Sequence, residues 1–321
     1  MKSKRIPISF KYMNIKNYIL PYLTLCYIIL GCTHEEPEWI PNDPLADFAL
    51  IHNQETVLPV HPDSLRILAI GNSFTNNSME YLPLILNNYN CIKNVTLGKI
   101  IYGGCSLQQH EHFFRKEEPV YCFQIKGPQD FGWNEEISNK TIQEILLSCE
   151  WDIIILQQAS AHSGLYKKYQ PYLNRLIEHI LSRATNPNAV IIWHMTWPYS
   201  SLCRTNAFRP YGYNPETMYD SIKNAVRNLQ EETRIKYVIP SADCISALRN
   251  SHINKDKTDF TSDGIHIDNQ IGKYALACTW FQSLFCPIYE VTLDSTVVYS
   301  LPLSLEEIRT MHAIIKNCHQ K

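Results

Sequence analysis

From Leu65 onward the sequence alternates apolar runs of strand length with amphipathic segments of helix length, and this alternation limits the fold more than any other feature. A strand that is apolar throughout must be covered on both faces, and crossover helices between parallel strands provide that cover. Five runs predict such strands: Ile67–Gly71, Val95–Tyr102, Trp151–Gln157, Ala189–Met195 and Lys236–Pro240. Between them Met79–Asn88, Ser106–Phe114, Lys140–Ser148, Tyr169–Ser182 and Pro215–Thr233 predict crossover helices, and a last helix is predicted over Asn269–Leu284. With 321 residues, 45% of them hydrophobic, the chain has ample material for a packed core. The expectation is a three-layer α/β/α domain over residues 65–288, built on a parallel sheet.

Outside that rhythm the sequence changes character. Glu117–Asn139 carries Pro119, Gly127, Pro128 and Gly132 among aromatic residues and is predicted as a long irregular insertion over one face. After Pro287, a strand-like Tyr289–Ser300 and a helix opened by Ser304, with Glu307 completing a capping box, predict a C-terminal appendage over 289–321. At the other end, Lys2, Lys4, Arg5, Lys11 and Lys16 precede an apolar run from Tyr18 to Gly31. That is the composition of an export signal over residues 1–32, and the run is short for a membrane span. A start at Met13 gives the signal a more ordinary length. Residues 33–64, with Pro37, Pro41, Pro44, Pro59, Pro62 and the acidic Glu35, Glu36 and Glu38, suit an extended tether.

A formal net charge of -2, with no run of Lys and Arg beyond the extreme N-terminus, argues against a nucleic-acid partner. Of eleven cysteines, Cys26 and Cys32 lie in the signal, and the rest are irregularly spaced without a Cys-x-x-Cys pair. That pattern calls for neither a structural zinc site nor an obligatory disulfide framework. No metal and no cofactor is expected, and the chain is expected to be a monomer.

The stretch Leu65–Thr75 reads Leu-Arg-Ile-Leu-Ala-Ile-Gly-Asn-Ser-Phe-Thr. An apolar run ends there in a glycine turn that presents Ser73, with the following helix predicted from Ser78 or Met79. A serine at the carboxyl end of a strand stands where open α/β sheets place their ligands. By itself it reads sooner as a helix-capping serine in a tight turn. Asp263-Gly264-Ile265-His266, just before the last helix, adds a carboxylate and an imidazole three residues apart. A hydroxyl is a poor nucleophile until a base takes its proton, and a histidine is the better base when a carboxylate orients it. Ser73, His266 and Asp263 supply these three roles.

The order of these motifs resembles the SGNH or GDSL-type serine esterase superfamily over about Leu65–Phe285. Gly71-Asn72-Ser73-Phe74 matches its first block, where Asp more often precedes the serine, and Asp263-Gly264-Ile265-His266 matches its last. The glycine of the second block matches Gly103 or Gly104, with Gly104 preferred. In the third block the superfamily has Gly-x-Asn-Asp, and this chain has Leu156-Gln157-Gln158-Ala159-Ser160. Some branches, including sialate O-acetylesterase-like ones, carry glutamine in this region. The resemblance implies a flavodoxin-like parallel sheet (the SGNH hydrolase fold) and an oxyanion hole from Ser73, Gly104 and a glutamine, Gln157 or Gln158. Ile29-Leu30-Gly31-Cys32 similarly resembles a bacterial lipobox, which implies lipidation at Cys32 and a place in the bacterial cell envelope. The α/β-hydrolase elbow is excluded because Thr75 stands where its second glycine belongs. The missing second and third glycines argue against a dinucleotide site.

The activity so implied is that of an exported serine esterase removing ester substituents, O-acetyl groups foremost, from carbohydrates. A non-catalytic glycan-binding lipoprotein, or a methylesterase, thioesterase or peptidase using the same residues, is the alternative. His110, His194 and Trp197 are candidate substrate contacts, with a helix-face histidine bonded to a neighbouring loop as the other reading of His110 and a core-edge tryptophan cluster as the other reading of His194 and Trp197. Tyr121, Trp133 and His162 are candidate pocket residues. Asp152 is expected to be structural, and Glu135 and Glu136 a solvated edge.

Overall fold

The computed structural model describes residues 57–233, 235–293 and 301–319. The chain begins with β1 (Leu65–Gly71), α1 (Ser73–Met79), α2 (Leu82–Leu86), β2 (Val95–Ile101) and α3 (Leu107–Lys116). It continues through β3 (Tyr121–Lys126), β4 (Ile137–Lys140), α4 (Ile142–Leu147), β5 (Ile153–Leu156), α5 (Tyr172–Arg183) and β6 (Val190–His194). It closes with α6 (Pro215–Glu232), β7 (Val238–Ile239), α7 (Ser241–Arg249), α8 (Gln270–Tyr289) and α9 (Leu305–Cys318).

The strands form one sheet in the order β4-β3-β2-β1-β5-β6-β7. All five strands expected from the apolar runs are present and mutually parallel. Their order is the flavodoxin-like one, which the resemblance implied. β1, β5 and β6 are buried almost throughout, which is why they read as continuous apolar runs rather than alternating ones. On one face α5 packs against α3 and α4, and on the other α8 packs against α1, α2, α7 and α9. The chain leaves β1 toward β2 on one side and later returns to β5 on the other, so strand order reverses between β1 and β5. Open α/β sheets bind their ligands at the carboxyl ends of the strands flanking such a point.

The structure departs from expectation in four places. The segment Glu117–Asn139 is not irregular: β3 pairs antiparallel with β2, Leu97 opposite Lys126 through Ile101 opposite Cys122, and β4 pairs antiparallel with β3. Its Gly127, Pro128 and Gly132 fall in the connection between the two strands. Tyr289 ends α8 instead of opening a strand, because Ile288 and Tyr289 are buried within the helical layer. Residues 294–300 of that expected strand lie outside the described residues, as do the signal, Cys32 and most of the tether. Helix α7 was not anticipated. Helix α1 starts at Ser73, several residues early, because the Asn72 side chain caps it by accepting from Phe74 N at 3.0 Å. The capping box at Ser304 and Glu307 is formed, and α9 buries Ile308, Met311 and Ile315 against the domain.

Candidate active site

Ser73 stands at the exit of β1, one of the two strands flanking the reversal. Gly71 is required there, since a Cβ would lie 2.2 Å from Thr75 Oγ1 and 3.1 Å from Gln157 Cδ. Asn72 is extended, and Ser73 opens α1 with its hydroxyl 2.9 Å from His266 Nε2. The Asp263 carboxylate accepts from His266 Nδ1 at 2.6 Å, which leaves Nε2 bare to accept the serine proton. Ser73, His266 and Asp263, more than 190 residues apart in sequence at the extreme, thus form one hydrogen-bonded chain.

The loop bearing Asp263 and His266 is built around that carboxylate. Its Oδ1 accepts from the amides of Ile265 at 2.7 Å and His266 at 2.8 Å and from Thr261 Oγ1 at 3.1 Å. Partial burial pushes the Asp263 carboxyl up, and the bonds from the His266 side chain and the two amides outweigh it, so its pKa lies below the ordinary carboxylate value. Gly264 adopts φ +80° and passes so close to Cys203 that a Cβ would stand 2.6 Å from its backbone nitrogen. Ser200 N donates to Gly264 O at 2.8 Å and keeps the two loops together.

A second turn faces the serine. Tyr102 N donates to Gly71 O at 3.1 Å, and Asn72 Nδ2 donates to Cys105 O at 3.1 Å. These bonds bracket Gly103 and Gly104, both exposed, with Gly104 at φ +68°. Among the described residues no acceptor takes the amide of Ser73 or of Gly104. Two backbone donors beside an activated hydroxyl can hold the oxygen of a tetrahedral adduct. Among the described residues no group of three His, Cys, Asp or Glu side chains is placed to hold a metal ion.

A family model described as a domain of unknown function, DUF4886, matches residues 66–296. The chain belongs to the DUF4886 family. A crystal structure of a DUF4886 family protein from Bacteroides uniformis is similar at 31% identity and a TM-score of 0.72, over 80% of this chain and 95% of that one. More distant is a candidate SGNH hydrolase from Slackia heliotrinireducens, at 19% identity and a TM-score of 0.46 over 69% of this chain and 99% of its own. An acetylxylan esterase from Geobacillus stearothermophilus follows at 12% identity and a TM-score of 0.44, over 68% and 94%. No curated protein matches the sequence.

Several residues expected at the surface of the site lie beneath it in this DUF4886 protein. Gln157 and Gln158 are each 1% exposed, and their amides are turned away from Ser73. Gln157 Nε2 donates to Asn72 Oδ1 at 2.6 Å, while Gln158 Nε2 donates to Lys168 O at 3.1 Å and its Oε1 accepts from Leu107 N at 3.0 Å. His194 is buried with Nδ1 on Gln157 Oε1 and Nε2 on Ser241 Oγ. His110 is buried against the Tyr121 hydroxyl at 2.8 Å, and burial lowers its pKa to about 3. Trp197 is wholly buried, so it cannot stack on a sugar. Its Nε1 donates to Ile265 O at 2.9 Å and its ring stacks on Phe74 at 4.1 Å, which joins the serine helix to the loop of the acid and base. Tyr121 is also buried, Trp133 donates to Met79 O, and His162 lies half-buried in a short turn after β5. Asp152 pairs with Arg66 at 3.2 Å, and Glu135 and Glu136 are exposed.

The roles of Asn72 and Trp197 were not anticipated. Asn before a serine was a visible capping signal, but its second bond, to Cys105 O, depends on a turn 33 residues away. Nothing in the Trp197 neighbourhood of the sequence signals a partner near residue 265.

Proposed function

We propose that this DUF4886 protein is a serine esterase that removes acyl groups, acetyl foremost, from the hydroxyls of carbohydrates. The observation that carries the reading is the hydrogen-bonded chain Ser73–His266–Asp263 at the strand-order reversal. His266 Nε2 takes the Ser73 proton as Oγ bonds to the ester carbonyl carbon. The carbonyl oxygen becomes an oxyanion held by the amides of Ser73 and Gly104. As the adduct collapses, the C–O bond to the sugar breaks and its oxygen takes the proton from His266. Water then attacks the acyl-serine, gives its proton to the same nitrogen, and releases the acid while Ser73 regains its hydrogen. His266 and Asp263 are partly open to solvent, which suits both a bulky substrate and entry of that water.

We further propose that the mature chain begins at Cys32 and is tethered by lipid to the bacterial envelope, acts as a monomer on glycan esters, and has no nucleic-acid partner. Hydrolysis of p-nitrophenyl acetate and of acetylated glycans by residues 33–321, beside Ser73→Ala, tests the chemistry. Turnover is expected to fall by about 10³-fold or more in the variant at unchanged melting temperature. Equal activity in a folded Ser73→Ala protein overturns the assignment. A folded wild type inert on acetyl, methyl and longer acyl esters favours the glycan-binding reading, which the turned-away amides of Gln157 and Gln158 support.

A further inference from the structure

Beneath Ser73 runs a buried polar chain that the mechanism does not use. Two backbone groups at its end cannot exchange roles: Phe74 N only donates and Cys105 O only accepts. The Asn72 amide meets both and so has one orientation, Oδ1 toward Phe74 N at 3.0 Å and Nδ2 toward Cys105 O at 3.1 Å. Gln157 meets that same Oδ1 at 2.6 Å and must present Nε2 there. Its Oε1 then accepts from Thr75 Oγ1 at 2.6 Å and from His194 Nδ1 at 3.1 Å. His194 therefore carries its proton on Nδ1. Complete burial keeps the imidazole neutral, so Nε2 is bare and accepts from the Ser241 hydroxyl at 3.0 Å.

We infer that Gln157 and His194 are positioning residues for the reaction at Ser73, acting through Asn72 to hold the Gly103–Gly104 turn against the nucleophile. Asn72, Gln157, His194 and Ser241 are at most 1% exposed, so none of them touches a substrate. Their effect passes through geometry. Rotation of the Asn72 amide would release both the cap of α1 and the latch on Cys105 O. Gln157 blocks that rotation because its oxygen is already engaged twice and only its nitrogen faces Asn72. His194 supplies one of those two bonds, and its ring is held edge-on to Trp280 at 5.0 Å. Where the resembled superfamily places an asparagine in its third block, this chain has a glutamine that orients the amide of the first block instead.

This inference rests on the esterase reading, and its test separates the two. His194→Leu removes the donor to Gln157, and His194→Asn places an amide N–H near the position of Nδ1. With p-nitrophenyl acetate, His194→Leu is expected to lose about 10- to 100-fold in kcat with KM within about twofold, and His194→Asn to recover to within about threefold of wild type. Inhibition by phenylboronic acid, a tetrahedral adduct former, should weaken in parallel with kcat, which a loss of stability alone would not produce. A folded His194→Leu protein with wild-type kcat, or His194→Asn as slow as His194→Leu, overturns the inference. If His194→Leu does not fold, Asn72→Asp serves, since it keeps the acceptor for Phe74 N and loses the donor to Cys105 O. It is expected to lose kcat similarly, and wild-type kcat there overturns the inference. Nitrogen-15 NMR of wild-type His194 is independent of activity: a proton on Nε2 instead of Nδ1 overturns the chain even if esters are cleaved. An inert wild type with the proton on Nδ1 instead removes the esterase reading and leaves the network standing.

Discussion

A Cβ on Gly71 would stand 2.2 Å from Thr75 Oγ1, inside the distance at which real atoms pack, and Thr75 is itself bonded to Gln157. Gly71→Ala should therefore destabilise the domain by about 1–3 kcal/mol, read by denaturant unfolding, and slow ester hydrolysis because α1 must shift with Thr75. Asp263 yields a pH-dependent expectation. Its pKa in the folded protein is depressed by the bonds from His266 and two amides, against partial burial, so its contribution to stability is full above the ordinary carboxylate value of about 3.9. That contribution is lost as pH falls through the depressed value. The melting-temperature gap between wild type and Asp263→Asn should be widest near neutral pH and close as acid protonates the carboxylate. A gap that does not narrow in acid would contradict the depression.

Among the elements, α1 and the loop of residues 259–268 carry the two halves of the site, and among the described residues no regular secondary structure pairs them. Trp197 does that work from the loop after β6, by stacking on Phe74 and donating to Ile265 O. Trp197→Phe keeps a ring against Phe74 and leaves a carbonyl without its donor, so a loss of about 1–3 kcal/mol in unfolding free energy is expected. A fall in kcat larger than any change in KM should accompany it, from wider scatter of the Ser73 to His266 distance, and steady-state kinetics on p-nitrophenyl acetate would show it. The β3–β4 pair explains why one stretch misled: Gly127, Pro128 and Gly132 are turn residues between two strands, and the alternation of buried Tyr121 and Phe123 with half-buried Cys122 and Gln124 was the better signal.

For the whole molecule, α8 is the helix on which the serine side of the sheet is built, and α9 closes over it with Ile308, Met311 and Ile315 buried. Truncation after residue 303 should uncover that face and lower the melting temperature by well over ten degrees, or abolish soluble expression, since several core side chains lose their cover at about 2–5 kcal/mol each. A truncated protein that melts with the full domain would show α9 to be an appendage. The parallel core and the three members of the hydrogen-bonded chain were legible in the sequence because each is marked locally, whereas the strand order came only from the resemblance. Apolar runs report burial on both faces, Gly71 reports a sharp turn, and Asp263 and His266 sit three residues apart in one loop. What Gln157, His194, His110 and Trp197 do was not legible, because polar and aromatic residues at strand ends look alike whether they face solvent or neighbouring elements. Local pattern sets which face of an element is apolar, but only the packed sheet determines which polar groups meet beneath it. Those pairings join Asn72 to Cys105, Gln157 to His194 and Trp197 to Ile265 across distances that no periodicity spans.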